Sequence, residues 1–379
     1  MTRINFCVGD TLFWPDRNAI AYRGNYGSWP DFIRRFLVSE AVRDIVLLGE
    51  QRKYHKEAVT VAQELGIRVT VTDFGYLRPD WITWERNGMS GNSLFPRDPK
   101  VILSQASSIA EPDWRPQFQD SAFLMARNDL MYNIANGLGF PFYPRYRRSD
   151  ERPPTVIYTL ASAKRLLGNR IRKRRYLGLS KDLLNKATPY YLFPLQLDFD
   201  FQIVAYSPFK NMGEALGLVL HSFAKSAPPD SHLVLKEHPW DPAIKNWQRF
   251  TQKEAKRLGI SDRILYLRGG NLDQLIAAAR GVVVINSSTG IRSLQLGTPL
   301  KVLGQAIFDI PGLTHPTSLD SFWQTPQRSD PDLVQAFLRL LAASAQIRGV
   351  FFREPGMGHA VNQAVDRLLT ETVGQFQRE

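Results

Sequence analysis

Short apolar runs alternate along the chain with stretches in which apolar residues recur every three or four positions. The run Asp44–Gly49 (DIVLLG) predicts a strand closed by glycine, Gln51–Leu65 a helix, and Ile67–Phe74 (IRVTVTDF) a second strand. Strand, helix and strand in that order make a βαβ unit with a right-handed crossover. The second half repeats the theme without repeating the sequence. Strands are predicted at Tyr191–Gln196, His232–Lys236, Ile264–Leu267, Val282–Ile285 and Leu300–Leu303. Helices are predicted between them, at Asn211–Ala227, Ile244–Leu258, Leu272–Arg280 and Ile291–Leu296. Such alternation argues for α/β architecture with parallel sheets covered on both faces. Two more helices are expected, at Pro331–Ala343, with proline where a first turn tolerates it, and at His359–Phe376.

A chain of 379 residues fits two domains of ordinary size. The middle differs in composition: Lys164–Arg175 (KRLLGNRIRKRR) carries seven basic residues and no acidic one. The junction is therefore placed near it, with residues 1–180 as the first domain, 181–350 as the second, and 351–379 as a helix returning to the first. Lys plus Arg number 48 against 36 Asp plus Glu, a formal net charge of +12, which suggests an anionic partner. The single cysteine, Cys7, rules out an intramolecular disulfide framework and a multi-cysteine zinc site. No pair of histidines has metal-ligand spacing on a clear helix face, so no metal is expected. No apolar run reaches the length of a membrane span, and Met1–Asp10 lacks the layout of a signal peptide, so a cytoplasmic location is expected.

Four segments could carry chemistry. In Val282–Leu303 (VVVINSSTGIRSLQLGTPLKVL) a strand runs into Asn286, Ser287, Ser288, Thr289 and Gly290 and then a helix. Hydroxyls and unpaired amides at a helix start attract anions, and Gly290 would let a phosphate approach the backbone. A single serine there would be an ordinary cap, so the cluster at a strand's carboxyl end carries the reading. In Leu233–Asp241 (LVLKEHPWD) a strand delivers Lys236, Glu237 and His238 at its carboxyl end, and Pro239 fixes the turn. In Phe193–Ile203 (FPLQLDFDFQI), Gln196, Asp198, Asp200 and Gln202 alternate with apolar residues, which predicts one polar face of an extended strand bearing two carboxylates. Asp73–Glu85 (DFGYLRPDWITWE) reads as a structured loop with Arg78 on an acceptor-side or interdomain surface.

Together these segments resemble the bacterial capsular polysaccharide synthesis family, and more narrowly its single-module β-Kdo transferases. The resemblance is carried by RINFCVGDTLFW at Arg3–Trp14, NYGSWPDF at Asn25–Phe32, FGYLRPDWIT at Phe74–Thr83, PLQLDFDFQI at Pro194–Ile203, KEHP at Lys236–Pro239 and NSSTGIRSLQLGTPLKVLG at Asn286–Gly304. It implies a GT-B-like fold, two Rossmann-type parallel-sheet domains facing a cleft, with the acceptor on the first domain and the nucleotide sugar on the second. It also implies CMP-Kdo as donor substrate without a further cofactor, a phosphatidylglycerol-type lipid as acceptor, and retention of configuration. The family's Gln-x-x-x-Asp pattern fits Gln196 and Asp200, which makes Asp200 the implied nucleophile; Asp198 and Glu237 are both open as general base. Lys236, His238, Pro239, Asn286, Ser287, Ser288, Thr289 and Gly290 match the donor-binding motifs.

The basic run, with Arg172, Lys173, Arg174 and Arg175, fits an anionic membrane surface, so a peripheral position on the inner face of the inner membrane is expected. Other capsule-assembly proteins are expected as partners; nucleic acid is not, because no recognition motif for it appears. Relatives carry a further strand, glycine loop and helix before the position of Met1, so an internal start or a shortening would leave the first domain without its first βα unit. Asp73 stands where relatives more often carry Glu. Two other readings remain: a GT-B-like transferase for another nucleotide sugar, and a non-catalytic capsule-assembly component.

Overall fold

The structure is a computed structural model that describes residues 1–15, 18–148, 154–185 and 188–375. The chain begins β1 (Arg3–Asn5), α1 (Val8–Phe13), β2 (Ala19–Ala21), α2 (Trp29–Ser39), β3 (Asp44–Leu48), α3 (Lys53–Glu64), β4 (Arg68–Phe74) and β5 (Trp81–Arg86). Three helices follow, α4 (Pro99–Ala106), α5 (Ala122–Leu138) and α6 (Thr155–Asn185). Then come β6 (Tyr190–Pro194), α7 (Phe201–Ala205), α8 (Met212–Ser226), β7 (His232–Lys236), α9 (Trp247–Arg257), β8 (Ile264–Leu267), α10 (Leu272–Ala277) and β9 (Gly281–Val284). The chain ends with α11 (Thr289–Gln295), β10 (Leu300–Val302), α12 (Leu319–Gln324), α13 (Pro331–Ser344), β11 (Gln346–Arg348) and α14 (Gly356–Leu369).

Two compact units result. One holds Met1–Leu94, Asp113–Thr159 and the chain from Ala342 on; the other holds Phe95–Pro112 and Leu160–Leu341. The division therefore falls at several points rather than at one junction near residue 180, and most of α6 belongs to the second unit.

In the second unit five parallel strands lie in the order β10-β9-β6-β7-β8. Counted from β6, this is the Rossmann order, in which the connections reverse direction between the first and fourth strands. That switch point falls between β6 and β9. Both strands are buried along their whole length, as a strand flanked by two others and covered by helices must be. Helix α8 turns Met212, Ala215, Leu216, Val219, Leu220 and Phe223 to the core at helical spacing, and Asn211 caps it by accepting from the Glu214 amide.

The first unit holds a separate parallel pair, β1 with β2, and a mixed sheet in the order β11-β5-β4-β3. Strands β3 and β4 are parallel and joined by α3, the βαβ unit legible in the sequence. The segment expected to be a loop at Asp73–Glu85 instead contains β5, antiparallel to β4, and β11 is antiparallel to β5. Only Gly75–Asp80 separates β4 from β5. That is far too short for the crossover a parallel partner would need, so the chain folds back as a hairpin. Gly75 is required in it, because a Cβ there would lie 2.2 Å from the Trp81 carbonyl oxygen. Ile82 and Trp84 of β5 pack with Ile347 and Ala360 of the returning chain. Asp80 is fully buried: it accepts from Arg348 Nη1 at 2.9 Å and from the Gln117 and Phe118 amides.

Candidate functional site

Asp200, the expected nucleophile, and Asn286, an expected donor-binding residue, are linked through Gln196 across the switch point of the second unit. After β6 the Leu195 amide donates to the Lys236 carbonyl, which holds the chain against β7 and leaves Gln196 buried at the carboxyl edge. Gln196 Nε2 donates to Asn286 Oδ1 at 3.1 Å and, more weakly, to Asp200 Oδ2 at 3.5 Å. The Asn286 amide returns a bond to Gln196 Oε1 at 3.4 Å. Asn286 Nδ2 donates to the carbonyls of Gln202 and Tyr206, which ties the end of β9 to α7. The side-chain amide of Asn286, an expected donor-binding residue, holds Gln196 and the α7 turn in place.

The alternation at Gln196–Gln202 does not form a strand. β6 ends at Pro194, the Asp200 amide donates to the Leu197 carbonyl, and Asp200 caps α7 by accepting from the Gln202 amide at 3.0 Å. A proline that cannot extend the ladder, followed by two aspartates that favour turns, explains the break. The two carboxylates consequently have different partners. Asp198 accepts from the Met212 amide at the start of α8 and pairs with Lys245, while Asp200 stays with Gln196.

The hydroxyl cluster begins α11. Ser287 Oγ accepts from the Thr289 amide and donates to Thr289 Oγ1 at 3.2 Å, so Ser287 supplies the capping bond. Ser288 occupies the cap position with no side-chain capping bond. Gly290 is buried, and a Cβ there would lie 2.4 Å from the Phe308 ring, so the missing side chain makes room for Phe308.

At the end of β7, Lys236 is half-buried, and loss of solvation lowers its ammonium pKa below the usual lysine range. His238 Nδ1 accepts from the Trp240 amide, which favours the tautomer with its proton on Nε2. Pro239 is exposed in the turn that follows. Glu237 is not placed to act as a base. It is 4% exposed, ion-paired with Arg165 and with Arg268, and accepts from the Tyr266 hydroxyl. Arg165 belongs to the basic run expected to face a membrane, yet its side chain is buried against β7. Tyr176 and Ser180, further along α6, are buried as well. The side chains of Arg172, Lys173, Arg174 and Arg175 lie outside the described residues.

In the first unit Arg78 is exposed in the β4–β5 hairpin, its guanidinium 5.3 Å from the Phe74 ring centre. Burial pushes the nearby Asp73 carboxyl up. Residue order carries no functional signal for His55, a lone histidine on α3. Its Nδ1 lies 2.9 Å from the Gly49 carbonyl and 3.1 Å from that of Leu48, so Nδ1 must carry the proton and Nε2 the lone pair. Burial lowers its pKa, which favours the neutral ring. Arg268, Tyr266 and Lys245 were also missed; they are recognisable only as spatial partners of Glu237 and Asp198.

A cavity of ≈ 530 Å³ lies among Tyr191, Arg280, Gly297, Thr298 and Arg328, at the amino ends of β6, β9 and β10. Ligands of open α/β sheets sit at the carboxyl ends, so the Gln196–Asp200–Asn286 edge is the better candidate despite that volume. Among the described residues no group of three His, Cys, Asp or Glu could hold a metal ion.

Residues 43–352 match the family described as "Capsule polysaccharide biosynthesis protein". The chain is 30% identical over 350 residues to the capsule polysaccharide export protein KpsS of Escherichia coli, covering 92% of this chain and 89% of that protein. It is 29% identical over 364 residues to the capsule polysaccharide modification protein LipB of Neisseria meningitidis serogroup B, covering 93% of this chain and 85% of that one. Among solved structures, the β-Kdo 2,7 transferase of KpsC from Thermosulfurimonas dismutans aligns over 98% of this chain and 99% of that one, at 14% identity and a TM-score of 0.47.

Proposed function

The chain belongs to the capsule polysaccharide biosynthesis family, and from that premise we propose that it is a retaining GT-B-type glycosyltransferase moving β-Kdo from CMP-Kdo to a phosphatidylglycerol-type lipid. The observation that carries the reading is the hydrogen-bonded group Gln196–Asp200–Asn286, which spans β6 and β9 where a Rossmann sheet binds its ligand. The choice of Kdo rests on the resemblance of the motif set to β-Kdo transferases.

In this reading the Asp200 carboxylate attacks the anomeric carbon. A C–O bond forms to Asp200 as the bond to phosphate breaks, and CMP departs with the electron pair. Gln196 holds the carboxylate in one orientation through its amide N–H. Ser287, Ser288 and Thr289, with Lys236 and His238, offset the charge that develops on the departing phosphate. The lipid hydroxyl then displaces Asp200 from the sugar, restoring the carboxylate and the original configuration. The hydroxyl proton goes to a base. Of the two carboxylates named from the sequence, Glu237 is buried between guanidinium groups, whereas Asp198, paired with the exposed Lys245, is partly open to solvent and is the base in this reading. The enzyme works from the inner face of the inner membrane; among the described residues no helix is long and apolar enough to cross it.

The test is mass spectrometry of a short-chain phosphatidylglycerol after incubation with CMP-Kdo. A mass increase of one Kdo or more is expected. An unmodified lipid, together with thermal stabilisation by UDP but not by CMP, would replace this donor with another nucleotide sugar. An unmodified lipid with no nucleotide effect would favour a non-catalytic capsule component.

A further inference from the structure

Helix α5 of the first unit is amphipathic in the wrong sense for a water-facing helix. Its contacts with α1 are polar: Tyr132 donates to Asp10 Oδ1 at 3.1 Å and lies 3.2 Å from Cys7 Sγ, and Asn136 Oδ1 accepts from the Gly9 amide at 2.7 Å. On the opposite side Phe123, Leu130, Met131, Ile134 and Leu138 share one face at helical spacing, all exposed, with Arg127 on that face between Phe123 and Leu130. Phe123 is 74% and Leu138 80% exposed. The stripe continues into the turn Phe140–Phe142, where Phe140 is 61% and Phe142 64% exposed. None of the α5 residues is buried. A folded chain rarely shows a contiguous apolar stripe of this kind to water without a partner for it.

We propose that this face of α5 and the Phe140–Phe142 turn docks the protein in the plane of an anionic phospholipid surface. Charge complementarity selects that partner. Between Ser121 and Arg148 there are four arginines, Arg127, Arg145, Arg147 and Arg148, and one acid, Asp129, a balance of +3. All four arginines are exposed. An apolar face with phenylalanines at both ends, with Arg127 on it and Arg145, Arg147 and Arg148 just beyond it, suits an interfacial segment: the rings enter the acyl boundary and the guanidinium groups reach the phosphates. At 17 residues α5 is too short to span a bilayer and suited to lying on one. The docking segment proposed is α5; in the Lys164–Arg175 run Arg165 is committed to Glu237, and the side chains of Arg172–Arg175 lie outside the described residues.

The inference rests on the reading of a lipid acceptor, but it is measured without turnover, so its failure would leave the transfer chemistry standing. The experiment is co-sedimentation of the full chain with vesicles of phosphatidylglycerol and phosphatidylethanolamine, and with vesicles of phosphatidylcholine alone. The chain should bind the anionic vesicles more strongly. The variant L138S/F140S/F142S should lose roughly tenfold or more of that binding, with circular dichroism and melting temperature unchanged because the altered side chains are exposed. R145E/R147E should weaken binding and flatten its salt dependence. Three outcomes would overturn the proposal: unchanged vesicle binding by the serine variant; a dimer that the serine variant breaks while vesicle binding persists, which would make a second copy the occupant; or loss of binding only on charge reversal of Arg172–Arg175.

Discussion

Two carboxylates stand at strand ends of the same sheet, Asp200 after β6 and Glu237 after β7, and they differ in burial and in the partners that hold them. Asp200 is half-buried, held by an amide N–H and the first turn of a short helix. Glu237 is buried between Arg165 and Arg268 with the Tyr266 hydroxyl on it. The Gln196 amide N–H orients the Asp200 carboxylate toward the end of β9. Two guanidinium groups compensate Glu237 fully and use it to fasten α6 to the sheet. Position at a strand end therefore does not by itself make a carboxylate catalytic: Glu237 is committed to a buried ion pair.

Exchanging each for its amide should separate the roles. Asp200→Asn should lower turnover by at least about a thousandfold, the scale seen when a nucleophile is removed, while calorimetry shows CMP binding within a few-fold of the parent. Turnover close to the parent's would take the nucleophile away from Asp200. Glu237→Gln should do the reverse. It leaves buried guanidinium groups without their countercharge, a loss of about 3 kcal/mol or more, read as a lower melting temperature. The kcat of the protein still folded should hold. A normal melting temperature with abolished turnover would return Glu237 to the catalytic group.

The contrast also marks what could be read from residue order. The five strands of the second unit were legible because each centres on a short apolar run between turn residues, interrupted only by Lys301 in β10, and the Asn286–Gly290 cluster because hydroxyl groups of that density follow one of them. The alternation from Gln196 to Gln202 misled, because a period of two is meaningful only while the ladder continues, and Pro194 ends it. Strand β5 was hidden by Gly75 and Pro79 just before it, although Trp81–Arg86 is rich in the aromatic and β-branched residues that strands favour. The role of Glu237 was not legible at all, since Arg165 and Arg268 approach it from distant parts of the chain. Nor was the outward stripe of α5: periodicity shows that a helix has an apolar side, and only the packing of Tyr132 and Asn136 against α1 shows that this side faces out.

A smaller effect sharpens the comparison from the cationic side. Lys236 precedes Glu237 by one residue, and unlike Arg165 it pairs with no carboxylate among the described residues. Its burial lowers the pKa of the ammonium, so its charge is lost at a lower pH than in an ordinary lysine. If that charge attracts the donor phosphate, the donor KM should rise as pH climbs through the depressed value, with kcat little changed. Stability should move the other way. The unfolded chain holds this proton more tightly than the folded one, so between the depressed value and the ordinary lysine value the folded state gains stability as pH rises. Lys236→Met should raise the donor KM about tenfold near neutral pH, as expected for one charge-assisted hydrogen bond of about 1.5 kcal/mol, and should remove its alkaline rise. Lys236→Arg should keep a low KM to higher pH. A parent KM that is flat across the alkaline range, or a Lys236→Met variant with the parent's KM, would exclude Lys236 from donor binding and leave the phosphate to His238 and the α11 hydroxyls.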